Sequence, residues 1–204
     1  MAHENMELEM IEELIKKSDV VELLSEMKDL TQLSMDLVYC VLLYGDEELA
    51  DEIERIEERL DVLSIALKSK VALAIRSLED VRQLLPIMEL AESLEVITDA
   101  AADVAETVEM GAEPHEVIKK AIEESEERVF RVEVEEGSEI AGKTLGEVKL
   151  ASRTGMHVVA IRRGDRWIVG PDKDAEVKPG DVLIVRGPIE GYKALLELVK
   201  GGEG

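Results

Sequence analysis

The hydrophobic residues in the first part of the chain recur at intervals of three and four, which places them on one face of an α-helix. Three such runs cover residues 20–44, 49–78 and about 79–110. The apolar positions of the last run are Leu90, Leu94, Ile97, Ala101, Val104 and Val108. Three long helices with short connections predict an antiparallel three-helix bundle.

Several residues mark where these helices begin or change direction. Asp19 and Glu22 have the spacing of a capping box, and Asp46 is placed to cap the second long helix. Pro86 has no backbone N–H, so we expect a kink or a fresh helix start there. A further short helix is predicted over residues 5–17.

The pattern changes after residue 127. Four short runs of β-branched and apolar residues alternate with Gly, Pro and Asp clusters, which is typical of strands and turns. These runs cover residues 131–134, 157–161, 167–169 and 182–185, and short helices are predicted over residues 143–152 and 192–199. The fold class is therefore α+β with two domains, a helical bundle followed by a small α/β domain.

Charge is distributed unevenly between these two parts. Residues 1–127 carry 34 acidic and 11 basic side chains, whereas residues 128–204 carry 13 of each. This imbalance disfavours nucleic acid as a partner and favours a cation or a basic protein. The predicted divisions are a short N-terminal helix, a bundle, a helical linker, an α/β domain and a disordered tail, over residues 1–17, 18–112, 113–127, 128–200 and 201–204.

No segment indicates export or membrane insertion. The N-terminus has no basic region followed by an apolar stretch, and no run approaches the ~20 apolar residues that a membrane span needs. Cys40 is the single cysteine, which excludes a disulfide framework and is typical of a small buried hydrophobe. We therefore expect a cytoplasmic protein.

Carboxylates at helical spacing are the first candidate chemistry. Four of them lie on one arc of the third helix, and two more repeat the spacing of four on the second helix. They are Glu95, Asp99, Asp103 and Glu106, with Glu57 and Asp61. Two carboxylates one turn apart can chelate a divalent cation, although the same pattern also describes the solvated face of an amphipathic helix.

The stretch from Leu90 to Val108 resembles the last helix of a PhoU-type repeat. The matching positions are Leu94, Glu95, Ile97, Asp99, Val104, Ala105 and Glu106. The resemblance implies a metal cluster held by Glu95 with Asp99 and by Glu57 with Asp61. Thr98 and Asp103 depart from the family pattern. One three-helix repeat is present, so the resemblance also implies pairing of two chains.

The loop from Gly137 to Thr144 matches the phosphate-binding pattern Gly-x4-Gly-Lys-Thr. A nucleoside triphosphatase needs a large parallel sheet behind such a loop, and only about 60 residues remain. The favoured interpretation is that the glycines of this loop form turns. No nucleophile–base pair and no cofactor loop then remain to indicate an enzyme.

The second domain resembles the TrkA C-terminal domain, the C-terminal half of the regulator-of-K⁺-conductance fold (RCK_C). The matching segments are residues 142–147, 155–163 and 179–187, together with Pro171. The resemblance implies a homodimer that binds a small ligand near its interface, in some members a cyclic dinucleotide, and that regulates K⁺ channels or transporters. No Gly-x-Gly-x-x-Gly fingerprint accompanies it, so nucleotide sensing by a Rossmann domain is not expected.

Within this domain, Arg162, Arg163 and His157 are the candidate contacts for an anionic ligand, because arginine can clamp a phosphate bidentately. A packed histidine and solvated arginines are the alternative. The leading hypothesis is a non-enzymatic, ligand-sensing regulator at the cytoplasmic face of a cation channel or transporter, with potassium as the expected ion. The alternative is a PhoU-like, metal-binding regulator of phosphate uptake.

Overall fold

The computed structural model describes residues 2–110, 115–124, 128–164 and 166–201. Part of the predicted linker and residues 202–204 of the predicted tail lie outside these ranges. The chain divides into two compact units. One contains the residues up to Val38 and those from Asp46 to the end of the fourth helix. The other contains Tyr39–Gly45 and the described residues from His115 onwards.

The described residues of the first part of the chain form five helices, and two of the three long ones begin at the predicted caps. They are α1 (Ala2–Lys17), α2 (Val20–Tyr44), α3 (Glu47–Ala74), α4 (Leu78–Glu109) and α5 (Glu116–Glu123). Asp19 and Glu22 exchange hydrogen bonds of 2.9 and 2.8 Å, and the Asp46 carboxylate accepts one from the Leu49 N–H. None of the helices among the described residues has an apolar stretch of the length that a membrane span requires.

The core of the helical unit is aliphatic. Leu23 and Met27 of α2 pack with Leu60, Leu63 and Leu67 of α3 in one buried cluster. Buried side chains of this size each contribute about 1.5–3 kcal/mol of burial free energy. Since α3 residues 57 and 61 approach residue 99 whereas residues 64 and 68 approach residue 95, α3 and α4 run antiparallel.

Helix α4 continues through Pro86, so the fresh start predicted there does not occur. An internal proline costs a helix about 3 kcal/mol through its lost hydrogen bond and its ring. Packing offsets that cost, because Ala91 is buried and Ile87 and Leu94 contact the core formed by α2 and α3.

The second unit contains a four-stranded antiparallel sheet. Its elements after α5 are β1 (Arg128–Glu133), α6 (Leu145–Val148), α7 (Leu150–Thr154), β2 (His157–Arg163), β3 (Arg166–Val169), β4 (Val182–Gly187) and α8 (Ile189–Val199). The strands lie in the order β1-β4-β2-β3. Phe130, Leu183 and Ile161 project from one face into a core that Leu195 and Val199 of α8 complete. The predicted two-domain α+β architecture is confirmed.

The prediction of one helix over residues 143–152 is wrong. Two short helices are separated by Lys149, whose φ of 51° lies in the left-handed region. The left-handed conformation costs an L-residue about 1–2 kcal/mol. Lysine has no preference for it, so the residue type does not predict the break. The break turns the chain so that α7 ends at Gly155, directly before β2.

Candidate functional site

A cavity of about 180 Å³ opens in the second unit where α6, α7 and the start of β2 meet the loop after β3. Its floor is apolar and its rim is polar. The lining side chains are Leu145, Leu150, Ala151, Met156, His157, Val158, Pro171, Asp172 and Lys173. An apolar concavity with a few polar groups at one side is the usual form of a small-ligand site.

The rim loop is tied to α6 by its backbone. Gly146 N–H donates to the Lys173 carbonyl at 2.7 Å, and Leu145 N–H donates to the Ala175 carbonyl at 2.9 Å. A Cβ on Gly146 would lie 2.8 Å from the Lys173 carbonyl oxygen, so only glycine permits this approach. The Asp172 carboxylate accepts from the Asp174 N–H and thereby closes the turn.

The polar rim offers one basic ammonium and one imidazole. Lys173 is the only Lys or Arg among the lining residues that the structure describes, and its ammonium contacts the exposed Asp174 carboxylate at 3.1 Å. An exposed ion pair of this kind contributes little, so a ligand phosphate can replace its carboxylate. His157, the first residue of β2, also lines the cavity and is exposed. Lys173 and His157 can donate hydrogen bonds to an anion, whereas Asp172, which also lines the cavity, carries negative charge.

Of the three ligand contacts expected from the sequence, His157 lines the cavity, whereas Arg162 and Arg163 do not. Arg162 follows Ile161, which projects into the core, so its side chain leaves the sheet on the opposite face. It stands opposite Trp167 and Val182 on the neighbouring strands.

Arg163 makes a bidentate ion pair within the fold. Its Nε and Nη2 atoms donate to the two carboxylate oxygens of Asp181 at 2.8 Å each, and Nη2 also donates to the Glu176 carbonyl. Asp181 is 1% exposed and accepts a further bond from the Lys178 N–H. Hydrogen bonding to Asp181 raises the pKa of the Arg163 guanidinium. The pair holds the turn before β4 against the end of β2.

The helical unit brings together three of the six predicted metal ligands. Carboxylate oxygens of Glu57, Asp61 and Asp99 lie within 4.8 Å of one another. Burial raises the pKa of Glu57, and the nearby charges of Asp61 and Asp99 raise it further. Oxygens on opposite sides of a bound Ca²⁺ are about 5 Å apart, so the spacing fits a divalent cation.

The other three predicted ligands stand apart from that group. Glu95 accepts hydrogen bonds from the Lys68 ammonium at 2.5 Å and the buried Ser64 hydroxyl at 2.7 Å. Asp103 and Glu106 are exposed on α4 and do not belong to the cluster found among the described residues. Lys68 was overlooked in the sequence because it is 27 residues from its partner.

The Gly-Lys-Thr sequence serves as a helix cap. The Thr144 hydroxyl accepts from the Glu147 N–H, and the Glu147 carboxylate accepts from the Thr144 N–H at 2.8 Å. The helix that follows has four residues, and all strand pairs of the sheet are antiparallel. A loop that binds a nucleoside triphosphate requires a parallel sheet behind it. The antiparallel sheet therefore fits the interpretation of these glycines as turn residues.

Comparison with known proteins gives two domain matches, one in each part of the chain. The TrkA-C domain model matches residues 129–200, and the PhoU domain model matches residues 24–108. Probable potassium channel protein 2 of Methanocaldococcus jannaschii is 35% identical over 85 residues, which are 41% of this chain and 25% of that protein.

Two further matches cover a third of the chain or less. The Ktr system potassium uptake protein A of Vibrio alginolyticus is 38% identical over 52 residues, 26% of this chain and 24% of that protein. The RCK_C domain dimer of S. agalactiae BusR, solved in complex with c-di-AMP, is 30% identical; the match covers 33% of this chain and 88% of that one, with a TM-score of 0.32.

The chain spans about a quarter of the length of the two potassium transport proteins that it matches. Both domain models match in the order expected from the sequence, with the helical one first. Each model also falls on a separately packed core, the aliphatic bundle in one case and the antiparallel sheet in the other. The chain therefore carries a PhoU domain followed by a TrkA-C domain.

Proposed function

We propose that the chain is a non-catalytic, ligand-sensing regulator of potassium transport, in which the TrkA-C domain binds a small anionic ligand. The observation that carries this proposal is the cavity at the start of β2, with His157 and Lys173 on its rim. The names of two relatives, a potassium channel protein and a potassium uptake protein, support the choice of ion.

The size of the cavity limits what it can hold. Pockets for drug-sized ligands measure about 300–1,000 Å³, and this cavity measures about 180 Å³. It therefore accommodates one ring of a ligand, such as one base of a cyclic dinucleotide, with the phosphates at the Lys173 rim. A second copy of the TrkA-C domain supplies the remaining surface, so the functional unit is a homodimer.

Regulation follows from differential affinity. A ligand that bridges two cavities stabilises the dimer arrangement in which they face each other, and it shifts the population toward that arrangement. The regulated partner is the cytoplasmic face of a potassium channel or transporter. No group-transfer step is required for this role.

Filling the cavity tests the site. Cyclic diadenosine monophosphate, the ligand in the BusR complex, is the probe. Ala151→Phe places an aromatic ring in the volume that a base would occupy. We expect the dissociation constant of this variant for cyclic diadenosine monophosphate, measured by calorimetry, to rise by at least about tenfold, equivalent to about 1.4 kcal/mol.

Ser152→Phe is the matched control, because Ser152 is the next residue of α7, is exposed and does not line the cavity. Its affinity should equal that of the unmodified chain. Equal affinity of both variants, or no binding of the dinucleotide by the unmodified chain, would remove the cavity as the dinucleotide site.

A second candidate function concerns the PhoU domain. We propose that Glu57, Asp61 and Asp99 bind a divalent cation, which would make the chain a metal-binding regulator of phosphate uptake. Three converging carboxylates and the raised pKa of Glu57 support this candidate. Lys68 already neutralises Glu95, so a single ion fits the arrangement better than a larger cluster.

Asp99→Asn should weaken Mn²⁺ binding by about tenfold or more, about 1.4 kcal/mol, as measured by calorimetry. Asp103→Asn, one turn further along α4 and outside the cluster, should leave it unchanged. Because a proton on Glu57 competes with the cation, affinity should also fall as the pH is lowered toward the raised pKa of Glu57. Identical binding by the two asparagine variants would rule out this cluster.

A further inference from the structure

One flank of α4, next to the face that packs on the core, is apolar and exposed. Leu90 is 46% exposed, Ile97 is 42% exposed and Val96 is 61% exposed. Leu90 and Ile97, together with four smaller neighbours, step by four and three along the helix, the spacing of a coiled-coil seam. Val96, one residue before Ile97, lies off this line. We call this set the α4 seam; its members are Pro86, Leu90, Ser93, Ile97, Ala100 and Val104.

Carboxylates border the α4 seam without compensating bases. From Gln83 to Glu109 the helix contains seven acidic residues and no Lys or Arg. Glu89 and Asp103 directly precede the seam residues Leu90 and Val104. Within the part of the chain that the structure describes, no basic side chain lies within ion-pair distance of Glu89, Glu92 or Asp103, whereas Glu95 has Lys68.

We propose that the α4 seam binds an amphipathic helix of a partner protein, with an apolar stripe flanked by Lys or Arg. Apolar residues at steps of four and three accept the stripe, as in other helix-in-groove complexes. The unpaired carboxylates along the border accept the basic flank, as charged positions do beside a coiled-coil core. Association would bury the exposed parts of the Leu90 and Ile97 side chains.

Charge decides between this occupant and a second copy of the chain. Two α4 helices packed through their seams would bring like charges together, and the whole chain carries a net charge of −23. Like charges at such an interface oppose association, whereas a basic helix is attracted and steered toward it. The homodimer of the proposed function forms through the TrkA-C domain, so it does not require the two seams to pair.

The probe is a synthetic four-heptad peptide with Leu at the core positions and Lys at the flanking positions. Its affinity for the full chain is measured by fluorescence anisotropy at several salt concentrations. The double variant Leu90→Gln/Ile97→Gln should weaken binding by at least about tenfold, because both contacts of the stripe are lost. Glu89→Gln/Asp103→Asn should weaken binding at low salt and flatten its salt dependence.

Two controls make the result specific to the α4 seam. Leu73→Gln alters an equally apolar side chain on α3 that is 74% exposed, and it should leave affinity unchanged. A peptide of the same composition with its apolar stripe scrambled should bind at least about tenfold more weakly than the probe. Both controls are independent of the dinucleotide cavity, so failure here does not bear on the proposed function.

Two results would overturn the proposal. One is equal binding of the scrambled peptide, which would reduce the effect to net charge. The other is a change of oligomeric state: if Leu90→Gln/Ile97→Gln converts a dimer to a monomer in sedimentation, and added salt strengthens that dimer, the occupant is a second copy.

Discussion

Replacing Arg163 by methionine should lower the free energy of unfolding of the TrkA-C domain by about 3 kcal/mol. The variant leaves the Asp181 carboxylate, which is 1% exposed, without its two guanidinium hydrogen bonds. Breaking a buried ion pair costs about 3–5 kcal/mol, and the lower value applies because 35% of the Arg163 side chain is exposed. Urea unfolding followed by the fluorescence of Trp167, the single tryptophan, reports this domain specifically.

Arg153→Met is the matched control. Arg153 also pairs with a carboxylate, that of Glu139 at 2.6 Å, but both side chains are exposed. Exposed pairs are screened by water, so no measurable loss of stability is expected. If Arg163→Met is as stable as Arg153→Met but no longer binds the dinucleotide, then Arg163 contacts the ligand, as expected from the sequence.

Replacing Gly191 by alanine should destabilise the same domain by about 3 kcal/mol or more. Helix propensity alone predicts the opposite sign, because alanine is favoured over glycine in a helix by about 1 kcal/mol. An added Cβ on Gly191 would lie 2.1 Å from the Thr154 carbonyl oxygen and 3.0 Å from the Met156 sulfur. The backbone oxygen cannot rotate away, so α8 would have to move from the end of α7.

This movement of α8 would also disturb the ligand site, because Met156 lines the cavity. We therefore expect weaker dinucleotide binding in parallel with the lost stability. Gly142→Ala is the comparison: a Cβ there meets nothing within 4 Å, and only the positive φ of 76° is unfavourable. Its cost should be about 1–2 kcal/mol. Stabilisation by Gly191→Ala would show that α8 does not approach α7 so closely.

The helices could be predicted because their signals are local. Steps of three and four place Leu23, Met27 and Leu60 in the core whatever the helices pack against. The Asp19–Glu22 capping box is likewise contained within one turn. Lys149 shows the limit of such reasoning, since its left-handed conformation is imposed by the chain around it and no residue type signals it.

The candidate sites were only partly predictable. Periodicity placed Glu57 and Asp61 on one face of α3, and Asp99 meets them. The same periodicity assigned Glu95 to the metal, but Lys68 of the neighbouring helix pairs with it instead. For the cavity, His157 was predicted, whereas Lys173 was not, because it reaches the rim through a loop tied to Gly146.

The sequence by itself determined the order of the two domains, their different secondary structure, and the concentration of negative charge on the first of them. Each of these depends on residue type and spacing along the chain. Only the tertiary structure decided which charges meet. Arg163 and Asp181 are 18 residues apart, and their contact depends on the pairing of β2 with β4, between which β3 intervenes in the sequence. Such a register is fixed when the apolar faces of both strands are buried together, and this brings into contact residues that are distant in the sequence.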